Sequence, residues 1–190
     1  AHAPPPPPAA LPPMRSRFLL VPAAVLAVSQ SSAAADLQTL EAAQQKLAPG
    51  ATLTPVDYRL SSEHAQQIRQ YYRVPVLRLQ MKAWKVEGGG WLYLDQVFGV
   101  SDIITYVVAL DAAGRVSGLE VLTCQDGYCD FYTPQWRATF TGKAPGNWVP
   151  SEEVPILSGR TMSTTHVAEG VKKILAIHAR FAPGVGSDAQ

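Results

Sequence analysis

Apolar residues recur along this chain with periods that change from helical to strand-like and back to helical. Two early segments, Asp36–Leu47 and Ser61–Tyr72, predict short helices, each followed within a few residues by proline. Asp36 is the candidate N-cap of the first helix. A third helical segment, Pro134–Phe140, begins on proline, which suits the first turn of a helix.

The middle of the chain predicts two β-hairpins, because runs rich in strand-forming residues alternate with short glycine-containing breaks. The four strands are Val76–Val86, Trp91–Phe98, Ile103–Asp111 and Val116–Thr123. The three glycines at 88–90 stand between two strands and do not open a helix. A hairpin turn is therefore favoured there over a phosphate cradle.

The closing segment has the clearest helical pattern. From Ser163 onward, apolar residues at Val167, Val171, Ile174 and Leu175 fall on one face. Lysines and an arginine populate its C-terminal half, as the helix dipole favours. The order of elements predicts an α+β domain with an antiparallel, meandering sheet of about four or more strands. Helices are expected to pack on one face of that sheet, and the last helix closes the domain.

The composition fits one globular domain without a nucleic-acid partner. The chain has 190 residues, 47% of them hydrophobic, which is enough for a single core. Its formal net charge is +1, and it contains no block of lysines and arginines. A nucleic-acid-binding surface is therefore not expected.

The first 35 residues have the features of a leader. Residues 1–13 are rich in proline and alanine and are interpreted as added sequence or as a start assigned too early. Residues 14–35 combine a basic start, the apolar run Phe18–Val28 and small residues ending at Ala35, which together describe a secretory signal peptide. The alternative is a short membrane anchor, although the run is shorter than the ~20 residues that span a bilayer. The predicted parts after cleavage near Ala35 are a periplasmic or otherwise exported domain at residues 36–184 and a loose tail at 185–190.

The chain has two cysteines, Cys124 and Cys129, close together in one predicted loop. Outside the cytoplasm such a pair can form a disulfide. Metal binding is the weaker interpretation, since two cysteines provide only half of a zinc site. No metal is expected.

The candidate chemistry lies just before the closing helix. Five of the eight residues in Ser158–Thr165 carry hydroxyl groups. A helix start offers unpaired N–H groups and a positive dipole end, which together favour a phosphate. Gly159 allows close approach of the backbone, and Arg160 can add a charged contact. The alternative is that these hydroxyls only cap the helix.

Through Ser158-Gly159-Arg160-Thr161 the chain resembles the FMN-binding domain family. That family includes the flavin-carrying subunits of the sodium-pumping NADH:quinone reductase and of the Rnf complex, and many small periplasmic proteins. The family motif is Ser/Thr-Gly-Ala-Thr, followed by a hydroxyl-rich helix start, and Ser163, Thr164 and Val167 match the positions behind it. Met162, Ser163 and Thr164 are accordingly further candidate cofactor-binding residues. The resemblance implies that Thr161 carries FMN through a phosphoester, installed by a periplasmic flavin transferase that uses FAD. Arg160 stands where the family usually has Ala, and Pro155 where it commonly has Asp.

The resemblance extends over about Trp91 to His178. It covers the second hairpin, the loop after it and the short helix at Trp136. By resemblance, the loop containing Gly127 and Tyr128 lies beside the flavin, and the Tyr128 ring can stack on it. The alternative for Tyr128 is an ordinary half-buried loop residue. His166 is interpreted as an exposed helix residue in preference to a flavin contact.

The function implied by the resemblance is electron transfer through FMN to a membrane or periplasmic redox partner. Two alternatives stay open. One is a flavin-binding or protein-interaction module without covalent FMN. The other is a periplasmic reductase with its own small substrate.

Overall fold

The computed structural model describes residue 3 and residues 35–36, 38–101, 103–124, 132–146, 148–156, 158 and 161–182. Backbone contacts separate residues 1–32 from residues 33–190, and every element described below belongs to the second part. The predicted signal peptide, apart from Ala35, and the predicted tail lie outside the described residues. Within the described ranges, none of the helices combines the length and the apolar character needed to cross a bilayer.

One antiparallel sheet forms the centre of the domain. Its strands are β1 (Ala35–Asp36), β2 (Leu53–Arg59), β3 (Gln80–Val86), β4 (Trp91–Phe98), β5 (Ile103–Leu110) and β6 (Val116–Cys124). Their order in the sheet is β1-β6-β5-β4-β3-β2, so the five longer strands form a meander and the two-residue β1 pairs with the free edge of β6. The predicted antiparallel α+β architecture is confirmed.

Within the described ranges, five helices accompany the sheet. They are α1 (Leu40–Leu47), α2 (Ser62–Tyr72), α3 (Pro134–Ala138), α4 (Pro150–Glu153) and α5 (Thr161–Phe181). The predicted N-cap of the first helix was wrong. Asp36 belongs to β1, where it pairs with Thr123, and the cap is Thr39, whose side chain accepts a hydrogen bond from the Ala42 N–H.

Helices cover both faces of the sheet, so the expectation of helices on one face was wrong. Alternate residues of β5 point into two separate cores: Tyr106 and Val108 into one, Val107 and Ala109 into the other. The larger core is completed mainly by α2 and α5, and the smaller one by α1. Because β5 is apolar on both sides, it needs cover on both.

The turn between β3 and β4 is the predicted hairpin. Gly90 there has φ +102°, and a Cβ atom at this position would come within 2.5 Å of the Leu110 carbonyl oxygen. Only glycine fits such a position. The glycines at 88–90 therefore serve the turn, as the sequence predicts.

Candidate functional site

The start of α5 and the end of β6 lie toward the same end of the sheet. In the strand register Ile104 lies opposite both Val97 and Cys124, so the end of β4, the start of β5 and the end of β6 are neighbours. Helix α5 packs across β4 and β5 and begins at this same end, where Ser163 contacts Val100. The sheet topology thus brings the start of α5 close to the strand that leads into the cysteine loop.

The hydroxyl residues at the start of α5 differ in their exposure to solvent. Thr161 is the first residue of the helix, and its side chain is exposed. Ser158 lies in an exposed turn just before it. Ser163 and Thr164 are buried, with 2% and 0% of their surface exposed. Because the Thr164 hydroxyl donates to the Thr161 carbonyl oxygen at 3.2 Å, it stabilises the first turn of the helix.

Two hydrogen bonds join α5 to the end of β4 and to the described turn residues 99–101 that follow it. The Val100 N–H donates to the Ser163 hydroxyl oxygen at 3.1 Å. His166 Nδ1 lies 2.7 Å from the Phe98 carbonyl oxygen, and because a carbonyl can only accept, Nδ1 carries the hydrogen. The half-buried His166 is therefore a structural partner of the turn and not a freely exposed helix residue.

Four large apolar side chains are exposed around the start of α5. We call them the apolar rim: Leu77 (69% exposed), Phe98 (59%), Val100 (58%) and Met162 (51%). Leu77 and Phe98 line the same cleft, and Met162 is next to Ser163, which accepts a hydrogen bond from Val100. Exposed apolar surface commonly marks a site for a ligand or a partner. Sequence reasoning missed the rim because its members come from three separate segments, and nothing in their spacing links them.

A buried polar network lies below the rim. The Tyr106 hydroxyl donates to Asp95 Oδ2 at 2.6 Å, and Lys173 Nζ contacts the same oxygen at 2.7 Å. The side chains of Lys173 and Asp95 are 10% and 7% exposed. Burial, reinforced by the negative charge of Asp95, raises the pKa of Tyr106 well above its usual range, so Tyr106 stays protonated and acts as the donor. The sequence carries no linear signal for this network, because its members lie on β4, β5 and α5.

Several predicted site residues lie outside the described part of the chain: Gly127, Tyr128, Cys129, Gly159 and Arg160. Cys124 ends β6, is 1% exposed and is disulfide-bonded. Cys129 is the other cysteine of the sequence. Among the residues the structure describes, no group of three or more His, Cys, Asp or Glu side chains could hold a metal ion.

The residues at the start of α5 fit the requirements of a tethered FMN. A phosphoester needs an accessible hydroxyl, which Thr161 provides. A phosphate is favoured at a helix start, and α5 begins at Thr161. An aromatic ring system needs apolar surface, which the rim provides within the same region.

No protein-family model matches this chain, and neither does any curated protein. A functional conclusion therefore depends on the motif and on the geometry of the residues around Thr161.

Proposed function

We propose that this protein is an exported electron-transfer flavoprotein that carries one FMN, joined by a phosphoester to Thr161. The observation that carries the proposal is the position of Thr161. Its side chain is exposed, it is the first residue of the long helix α5, and it is next to Met162 of the apolar rim. The side chain that carries the cofactor must be accessible to the enzyme that attaches it. It must also lie beside a surface against which the cofactor can pack.

Burial distinguishes Thr161 from Ser163 and Thr164, the next two hydroxyl residues along the chain. Ser163 and Thr164 are 2% and 0% exposed and face the protein interior, so a transferase cannot reach them in the folded chain. Ser158 is exposed but lies before the helix. Among the described residues of the motif, exposure and position at the helix start therefore coincide at Thr161.

The attachment reaction balances with FAD as the donor. A bond forms between the Thr161 hydroxyl oxygen and the phosphorus of the FMN half of FAD. The pyrophosphate bond breaks, AMP leaves, and the hydroxyl proton passes to the transferase or to water. A periplasmic flavin transferase is the partner that this step requires.

The protein's own residues would hold and position the attached cofactor. Backbone N–H groups in the first turn of α5 can hold the phosphate, helped by the helix dipole. The hydrogen bonds from the Val100 N–H to Ser163 and from His166 to the Phe98 carbonyl oxygen keep Phe98 and Val100 near the start of α5. FMN, when bound, supplies one- and two-electron transfer, and the exposed position of the site suits exchange with a membrane or periplasmic redox partner.

A second candidate function is a protein-interaction module without FMN. The apolar rim supports it, because exposed apolar surface of this kind also serves protein partners. In that case the hydroxyls at the start of α5 only cap the helix.

The test is covalent flavin loading of the exported full chain, produced together with a flavin transferase. After acid denaturation and removal of free cofactor, intact mass and flavin absorbance are measured for wild type, Thr161→Ala and Thr165→Ala. We expect an FMN-sized mass increase in the wild type and in Thr165→Ala, and none in Thr161→Ala. Colour that is lost on denaturation would mean non-covalent binding, and absence of flavin throughout would favour the interaction module.

A further inference from the structure

A pocket lies at the end of the sheet away from Thr161. It is bordered by the turn between β3 and β4, the turn between β5 and β6, and the last part of α5. The two turns are neighbours because Trp91, just after the first, pairs with Leu110, just before the second. His178 lines the pocket and lies roughly 25 Å from Thr161 along the helix axis. The pocket is therefore separate from the proposed flavin site.

The pocket is large enough for a small organic molecule. Its volume is about 350 Å³. A cavity of ~150 Å³ already holds benzene, so a planar molecule of about two fused rings fits here. Glycines, alanines and one proline make up most of the described lining, which leaves the space open. Trp91 supplies the largest side chain, and its ring meets the His178 ring edge-on with centroids 5.9 Å apart.

The described residues that line the pocket carry no charge at neutral pH. His178 is the one titratable residue among them. Burial lowers the pKa of His178 below 6.5, although the negative charge of Asp111 opposes the shift. The Asp111 carboxylate accepts hydrogen bonds from the Ala113 and Arg115 N–H groups of its own turn. An uncharged ligand is therefore favoured, because an ion would lose its hydration without gaining an opposite charge.

The hydrogen on the His178 imidazole can be assigned from its partner. The residue is 4% exposed, and its Nδ1 atom lies 2.8 Å from the Tyr93 hydroxyl oxygen. Burial raises the pKa of Tyr93, so the phenol keeps its proton. Nδ1 is the acceptor that the described residues offer to this proton. Tyr93 therefore donates to Nδ1, and the imidazole carries its own hydrogen on Nε2.

The Nε2 edge of the imidazole is the edge that faces the pocket. A Cβ atom on Gly114, which also lines the pocket, would lie 3.2 Å from Nε2. Within the described part of the chain, no group forms a hydrogen bond with Nε2. Polar atoms of buried side chains normally have a partner. A donor in an otherwise uncharged pocket matches an acceptor on a ligand, such as a carbonyl oxygen.

We propose that this pocket binds a small, uncharged, planar aromatic molecule with a carbonyl oxygen that accepts a hydrogen bond from His178 Nε2. The ring system of the ligand packs between the two glycine-containing turns and the Ala179 side of α5. This site does not depend on FMN, since Thr161 lies at the opposite end of the same helix.

The test is a titration of the full chain with indanone (the ketone on the carbon next to the aromatic ring), followed by calorimetry and by backbone amide chemical shifts. Indane has the same two rings without the oxygen and serves as the matched probe. We expect saturable binding of indanone, with shifts concentrated at Gly90, Ala113 and Gly114. Indane should bind about three- to tenfold more weakly, which is the usual contribution of one neutral hydrogen bond.

The hydrogen bond is tested with His178→Phe, which keeps an aromatic ring and removes the donor. This variant should bind indanone only as well as it binds indane. Because the substitution also leaves Tyr93 without its partner, a second variant changes the rim of the pocket instead. Ala179→Leu extends a side chain from the half-buried surface of α5 into the pocket and should abolish binding of both probes. Ala42→Leu makes the same change at an exposed position of α1 and should bind both probes as wild type does.

Three results would overturn the proposal: no saturable binding of indanone, equal affinities for indanone and indane in the wild type, or unchanged binding in Ala179→Leu. The flavin proposal is judged separately. Protein produced without a flavin transferase should bind indanone as tightly as flavin-loaded protein, so a failure to acquire FMN leaves this test intact.

Discussion

The α-carbon of Gly170 packs directly against the hydroxyl of Tyr106 and leaves no room for a side chain between them. The contact joins the middle of α5 to the central strand β5. It also holds the Tyr106 hydroxyl toward Asp95, to which it donates. The packing of α5 against β5 and the geometry of the buried polar network therefore both require glycine, without a Cβ atom, at position 170.

Gly170→Ala is expected to destabilise the protein by about 3 kcal/mol, the upper end for an added methyl group in a packed interior. The direction is informative, because the same substitution in an unhindered helix stabilises by about 1 kcal/mol. Chemical denaturation of the two proteins measures the difference. Adding Tyr106→Phe to Gly170→Ala removes the obstructing hydroxyl and should recover part of the loss. Two effects that simply add would contradict the packing argument.

The two cations that contact Glu120 should contribute unequally. Arg137 and Lys46 both lie within 2.8 Å of its carboxylate, but their side chains are 15% and 56% exposed. Arg137→Met leaves the buried Glu120 short of its best-shielded partner and should cost about 2 kcal/mol. Lys46→Met should cost less than about 1 kcal/mol, since exposed ion pairs are weak. Equal losses in a denaturation experiment would show that burial does not decide the strength of these pairs.

Local patterns account for the parts of the fold that the sequence predicts well. The face of α5 and both hairpins arise from residues close together in the chain, so helical spacing and glycine turns reveal them. Strand β2 was missed because it is an edge strand that contains Pro55 and is only partly buried. The position of α1 on the second face of the sheet was also missed, since the sequence does not say which strand its buried Ala43 meets.

The candidate site likewise has one part that local sequence patterns predict and another that they do not. Thr161 is found from a short motif and from the start of a helix, both of which are local. The apolar rim and the network of Asp95, Tyr106 and Lys173 depend on side chains that only the folded sheet and helix bring together. No spacing along the chain distinguishes a lysine that will be buried beside a carboxylate from one that will face water.

The hydrogen bond from His166 to the Phe98 carbonyl should hold the β4–β5 turn in place. His166→Leu removes the donor and keeps a side chain of similar bulk, so amide exchange at Gly99, Val100 and Ser101 should become faster. His64→Leu is the matched control. His64 stacks on Phe181 near the other end of α5, and its loss should leave exchange in this turn unchanged. Exchange rates that change equally in both variants would indicate a general loss of stability instead.

His178 should make the stability of the protein depend on pH. It is 4% exposed, its Nδ1 atom shares a hydrogen bond with the Tyr93 hydroxyl at 2.8 Å, and Gly114 packs against its ring. Burial lowers the pKa of His178 below its usual value of 6.5, although Asp111 opposes the shift. The unfolded chain therefore binds a proton at this position more readily than the folded protein does.

Above the unfolded value the residue is neutral in both states and contributes no pH dependence. As the pH falls below about 6.5, the unfolded state gains the proton first, and the free energy of unfolding decreases by at most about 1.4 kcal/mol per pH unit. The decrease ends once the pH passes the folded pKa. His178→Gln cannot titrate, so denaturation curves recorded across this range should show a smaller slope than wild type. Tyr93→Phe should keep the slope, because burial and not the hydroxyl is the main cause. A slope that survives in His178→Gln would assign the pH dependence to other groups.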